Sequence, residues 1–123
     1  MPKSNKDNSK VVIAVDYDNT ITEYRPFPIK APISYQAYIY LLKLHDKGYT
    51  LVLNTARKEP YYSEAVDELK KAGLYWIFSK EYEQGAKGKI QADFYIDDRA
   101  QINKFSWRKT YKYIVKHVKE NSK

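Results

Sequence analysis

The sequence predicts a single α/β domain, a parallel β-sheet with helices packed on it, and three observations predict it. Short continuous apolar runs rich in β-branched residues recur along the chain, as expected for strands covered on both faces. Helical periodicity fills the gaps between them. The strongest polar groups fall directly after the runs, where open α/β sheets bind their ligands. Strands alternating with helices imply right-handed βαβ units.

The elements follow in order. Residues 1–10, MPKSNKDNSK, are polar and read as a disordered lead-in to a domain spanning 11–120. Residues 11–15, VVIAV, form the first predicted strand. Ser34 caps a helix that turns Ala37, Tyr38, Leu41, Leu42 and His45 to one face and stops at Gly48. Residues 50–53 are the second strand. Pro60 suits the first turn of the next helix, with Ala65, Val66, Leu69 and Ala72 inward and Gly73 ending it. Residues 75–78 and 94–96 are the third and fourth strands. A last helix follows Ser106, with Trp107, Tyr111, Ile114, Val115 and Val118 on its apolar face.

Composition narrows the function classes. The chain has 123 residues, 43% hydrophobic and 30% charged, which fits one soluble domain and excludes a disordered one. No apolar run is long enough to span a bilayer, and the expected compartment is the cytoplasm. Without cysteine, any metal must sit on oxygen or histidine. The net charge of +7 is unevenly placed, since residues 104–123 alone carry +6. The body of the domain is nearly neutral.

Asp16 and Asp18 follow the first strand, Asn54, Thr55 and Arg57 the second, and Asp97, Asp98 and Arg99 the fourth. Residues two apart on an extended segment point the same way, so Asp16 and Asp18 face one small volume. Four carboxylates there repel one another unless a cation is present, and an all-oxygen site suits Mg²⁺. With the cation, one aspartate stays ionised as a nucleophile while a phosphate approaches. Phosphoryl transfer asks mainly for positioning and charge stabilisation, which Thr55 and Lys87 or Lys89 can supply. An isolated DxD is commonly a turn or cap; the conjunction after three separate strands points to catalysis.

These residues resemble the haloacid dehalogenase superfamily of phosphohydrolases. DYDNT, LVLNT, an upstream lysine and YIDD stand in the order of that superfamily's four motifs, and KxxADxxIDDR with a downstream Trp is similar to its small capless members. The resemblance implies a three-layer Rossmann-like core with helices on both faces of the sheet. It implies Asp16 as the nucleophile that forms an aspartyl-phosphate, and Asp18 as general acid and then base. Mg²⁺ would take the carboxylate of Asp16, the backbone carbonyl of Asp18 and the carboxylate of Asp98, with Asp97 nearby or bound through water. Thr55 would hold the phosphoryl oxygen with backbone amides around Tyr17 and Asn54, while Thr20 supports the loop. Lys89 fits the spacing better than Lys87, and Lys80 is third. Arg57 and Arg99 serve either the phosphate or a structural ion pair. EYRPFPIKAP is long enough only for a short flap, with no cap domain, which leaves an open site suited to a large phosphorylated substrate or to a small one gripped mainly by its phosphate.

A rival reading is a non-catalytic module that binds nucleic acid or an acidic protein. Its surface would be Arg108, Lys109, Lys112, Lys116 and Lys119, which oppose the apolar face of the last helix. A receiver-like signalling domain is disfavoured, because its phosphorylated aspartate lies on a middle strand and the second strand here ends in Asn54-Thr55. The thirteen tyrosines, Trp76 and Trp107 read as packing residues, and His45 and His117 lie away from the acidic rim.

Overall fold

Val12–Val15 (β1) is the middle strand of a three-stranded parallel sheet, with Thr50–Leu53 (β2) on one side and Phe94–Ile96 (β3) on the other. The computed structural model describes residues 8–25, 30–80, 91–97 and 106–120. Ile13, Ala14 and Val15 are all fully buried, and successive strand residues point to opposite faces. Both faces of β1 are therefore covered, which is why its sequence is a continuous apolar run rather than an alternating one. Leu51, Val52 and Leu53 repeat the pattern in β2.

The helices Tyr35–Asp46 (α1), Tyr61–Lys71 (α2) and Trp107–Glu120 (α3) supply the cover. The Ser34 hydroxyl accepts from the Ala37 amide at 3.3 Å to open α1, and Gly48, at φ +90°, adopts the left-handed conformation that lets the chain turn back into β2. The buried face of α1 is Ala37, Leu41 and Leu44, a stripe rotated from the predicted one. Tyr38 is exposed and Leu42 and His45 are half-buried, because tyrosine at 38 and leucine at 44 were interchangeable by periodicity but only Leu44 meets the core. Each fully buried leucine there contributes roughly 1.5–3 kcal/mol. Pro60 is the residue before α2, which buries Ala65 and Leu69 with Val66 and Ala72 against their edge. Helix α3 buries Trp107 and Ile114 and packs on α1, with the Tyr40 and Tyr111 rings 5.5 Å apart.

Two expectations are corrected. Residues 75–77 form a 3-10 turn, and only Phe78 pairs with Leu51, as an isolated parallel bridge outside β2. Trp76 is largely exposed, so YWIF is not covered on two faces and lacks the burial that a central strand needs. The lead-in also ends earlier than predicted. Asn8–Lys10 is a 3-10 turn held to the domain by Asn8 Nδ2 donating to the Lys47 carbonyl (2.8 Å) and Thr50 Oγ1 donating to the Ser9 carbonyl (2.6 Å).

Candidate active site

The sheet order places Asp16 between the ends of the other two strands. Val15 is in register with Leu53 on one side and Ile96 on the other, so Asp16, Asn54 and Asp97 leave the sheet level with one another at its carboxyl edge. The ladder extends one step past the strands. Asp16 donates its amide to the Ile96 carbonyl (2.9 Å), and Asn54 donates its amide to the Val15 carbonyl (2.8 Å). The backbone beneath Asp16 is thus fixed from both sides.

Beyond Asp16 the chain coils into a tight loop. The Tyr17 carbonyl accepts from the amides of Ile21 (2.9 Å) and Thr22 (3.1 Å), and more distantly from Thr20 (3.4 Å). Asn19 stands at φ 62°, a left-handed conformation that asparagine tolerates better than branched residues, and its amide donates to Thr22 Oγ1 (2.9 Å). Thr20 and Thr22 are buried, and the Thr20 carbonyl accepts from the Trp107 indole N–H at 3.1 Å. The predicted support role of Thr20 runs through its carbonyl. Asn19 and Trp107 carry this loop, and composition singled out neither; the positive φ a DxDN turn requires is the signal that could have found the first.

The Asn54 amide is committed to the sheet and does not face outward, so the predicted amide cradle narrows to Tyr17 and Asp18. Their amides donate to no group among the described residues. Thr55 is buried, with its hydroxyl oxygen accepting from the Arg57 amide at 3.2 Å. That bond folds the strand end so that Arg57 reaches back across the rim.

Arg57 makes a two-pronged ion pair with Asp18. Its Nε donates to Oδ2 (2.9 Å) and its Nη2 to Oδ1 (2.8 Å), while Nη1 donates to the Tyr61 carbonyl (2.9 Å). The guanidinium also lies 4.9 Å above the centre of the Tyr17 ring. Of the two roles predicted for Arg57, the structure shows the ion pair. The hydrogen bond to Asp18 raises the Arg57 pKa above its ordinary value against the opposing effect of burial. Asp18 is about half exposed, its side chain at 49%, so solvent weakens the pair while its geometry stays defined.

Burial pushes the Tyr17 phenol up to about 12, with Arg57 acting in the opposite direction. The unfolded chain releases this proton near the ordinary tyrosine value of about 10, so stability from the neutral phenol is complete below that pH and is lost as pH rises toward 12. Tyr17→Phe should therefore lose less stability than the native protein between pH 10 and 12, by about 2 kcal/mol at the upper end, in urea unfolding at a series of pH values. Parallel curves for the two proteins would refute it.

Among the described residues, no three His, Cys, Asp or Glu side chains converge as a ligand set. The described acids divide into Asp16 and Asp97 on neighbouring strand ends and Asp18 turned to Arg57. The Arg57 guanidinium compensates the Asp18 carboxylate. Two level carboxylates and the Asp18 carbonyl, which accepts from no described amide, are hard oxygen donors of the kind that fit Mg²⁺. Lys87, Lys89, Asp98 and Arg99 lie outside the described residues, as do 26–29 of the flap. The flap's base is closed by a Thr22–Ile33 bridge, by Glu23 donating its amide to the Pro32 carbonyl (2.9 Å), and by a Lys30–Glu68 ion pair at 3.3 Å. Lys80 has its ammonium over the Tyr75 ring, 3.6 Å from the centroid.

No helix among the described residues is long and apolar enough to cross a membrane. No family model and no curated protein matches the chain. A solved structure of a conserved protein from Bacteroides thetaiotaomicron does match, at 31% identity and a TM-score of 0.69, over 86% of this chain and 90% of that one. With likeness at that level across nearly the full length of both, the chain belongs to the same family as this conserved Bacteroides protein.

Proposed function

We propose that this chain is a cytoplasmic, Mg²⁺-dependent phosphomonoester hydrolase of the haloacid dehalogenase type, with a Rossmann-like core and no cap domain. The observation that carries the reading is the register that sets Asp16 level between Asn54 and Asp97, with Thr55 beside it. Nucleophile, hydroxyl donor and a second acid come from three strand ends that the fold brings to one edge.

An oxygen of the Asp16 carboxylate attacks phosphorus, and the bond from phosphorus to the ester oxygen breaks. The leaving oxygen takes a proton from Asp18, which enters this step protonated and turned away from Arg57, and departs as a hydroxyl. Asp18, now a carboxylate, removes a proton from water, which attacks phosphorus and breaks its bond to Asp16. One water is consumed, and inorganic phosphate leaves. The amides of Tyr17 and Asp18 and the Thr55 hydroxyl are the donors for the equatorial oxygens. Mg²⁺ held by Asp16, the Asp18 carbonyl, Asp98 and Asp97 would neutralise charge on the phosphate. Lys89 is the proposed lysine of the site.

Hydrolysis of a generic aryl phosphate tests the reading, expected with Mg²⁺ and abolished by a chelator. A folded protein inert with Mg²⁺ toward sugar phosphates, nucleotides, phosphopeptides and phosphate-ended oligonucleotides would overturn it. The Arg57 clamp gives a second expectation. Because it fixes both oxygens of the acid–base residue, Arg57→Ala should lower kcat about 100-fold. Arg57→Lys should recover little, since an ammonium cannot make two parallel bonds to one carboxylate. Full recovery by lysine would show that only charge matters there.

A further inference from the structure

The first turn of α3 lies against the catalytic loop, because the Trp107 indole bonds the Thr20 carbonyl two residues beyond Asp18. From that point α3 runs for 14 residues, about 20 Å at 1.5 Å per residue. Its outer surface is cationic from the start. Arg108, Lys109, Lys112, Lys116 and Lys119 are all exposed, and no ion pair engages any of them among the described residues. The helix holds no acidic residue before Glu120, its last.

An aromatic surface flanks this stripe. Tyr113 is 56% exposed, and its ring lies 4.0 Å from that of His117 at an interplanar angle of 33°. Phe94 of β3 meets it edge-on at 6.4 Å, which braces the ring from the sheet side. An exposed, braced ring among spaced cations is what single-stranded nucleic acid uses, with phosphates on the cations and a base on the ring. A merely solubilising face has no need to expose a tyrosine along its edge.

We propose that the outer face of α3 binds single-stranded nucleic acid and leads its terminal phosphate to Asp16. The inference rests on the phosphohydrolase reading and names its substrate class: a phosphate-ended strand, released with a free terminal hydroxyl. EYRPFPIKAP is too short for a cap domain, which suits the reading to a substrate of this width. Duplex DNA, acidic protein and anionic membrane offer the same charge without unstacked bases, so Tyr113 distinguishes the strand from them.

The test is fluorescence anisotropy with a labelled ten-nucleotide DNA strand bearing a terminal phosphate, run on Asp16→Asn so that binding is read without turnover. Engagement of about four phosphates predicts a loss of roughly 50-fold between 50 and 200 mM salt. Lys112→Glu with Lys116→Glu should weaken binding at least about tenfold, and Tyr113→Ala about tenfold by loss of stacking. On an otherwise native background, the lysine variants should hydrolyse a small aryl phosphate at the native rate, and circular dichroism should show them folded. Binding that ignores the lysine and tyrosine changes overturns the proposal, as does equal or tighter binding of a duplex, a polyglutamate peptide or phosphatidylserine vesicles. Failure of the aryl phosphate assay with strand binding intact would remove the hydrolase and leave the docking face standing.

Discussion

Asp16→Asn should fold like the native protein and lose aryl phosphate hydrolysis by at least about 1,000-fold, because the amide keeps the carboxylate's shape and has no comparable nucleophilic oxygen. The position tolerates the change. Its backbone is held by the Ile96 carbonyl, and the change leaves the Asp18–Arg57 pair in place. Asp18→Asn separates the two roles. An aryl leaving group departs with little need of a proton, so the first step should survive better than the second, which needs a base. That variant should release a burst of aryl alcohol and accumulate protein heavier by one phosphoryl group, seen by mass spectrometry of the acid-quenched reaction. A burst in Asp16→Asn, or equal residual rates in both variants without accumulation, would contradict the assignment of nucleophile and base.

The two halves of this site differed in how legible they were. Strands β1 and β2 could be read directly, because burial on both faces keeps residues 13–15 and 51–53 apolar, and their ends could be read from the polar residue that follows. The convergence of Asp16, Asn54 and Asp97 then followed from parallel topology alone. Residues 75–78 misled because YWIF has strand composition, yet composition does not report that the sheet edge covers only Ile77 and Phe78. Helix α1 misled by one side of its wheel for a similar reason. Tyrosines are amphipathic, so a helix bearing Tyr35, Tyr38 and Tyr40 has a blurred boundary between its wet and dry faces.

Side-chain pairing was harder to read than backbone placement. Arg57 and Asp18 are 39 residues apart, and two outcomes, phosphate contact or ion pair, satisfied the same sequence. What selects between them is the Thr55 hydroxyl, which accepts the Arg57 amide and turns the arginine back over Tyr17. That turn is a local hydrogen-bond choice with no periodic signature. Asp18 consequently stands against a cation, a setting that its place two residues after Asp16 did not announce.

Trp107→Ala should destabilise the protein by about 3–5 kcal/mol in denaturant unfolding, through lost packing and a cavity in the core cluster that the indole joins. The indole is 5% exposed, and it contributes more than volume. Its N–H donates to the carbonyl of buried Thr20, so truncation also removes a buried hydrogen bond from the loop that follows Asp16. Trp107→Phe isolates that second effect, since the ring recovers much of the apolar contact and none of the hydrogen bond. It should cost about 1–3 kcal/mol and lower kcat more than it raises KM, because the loop that loses its anchor carries Asp18 and both outward-facing amides. Stability and turnover should fall together in Trp107→Phe. Lys112→Glu with Lys116→Glu, on the same helix but on its outer face, should change neither. Should Trp107→Phe unfold more easily yet turn over an aryl phosphate at the native rate, α3 would be a packing element for the loop and not part of what holds the acid–base residue in place.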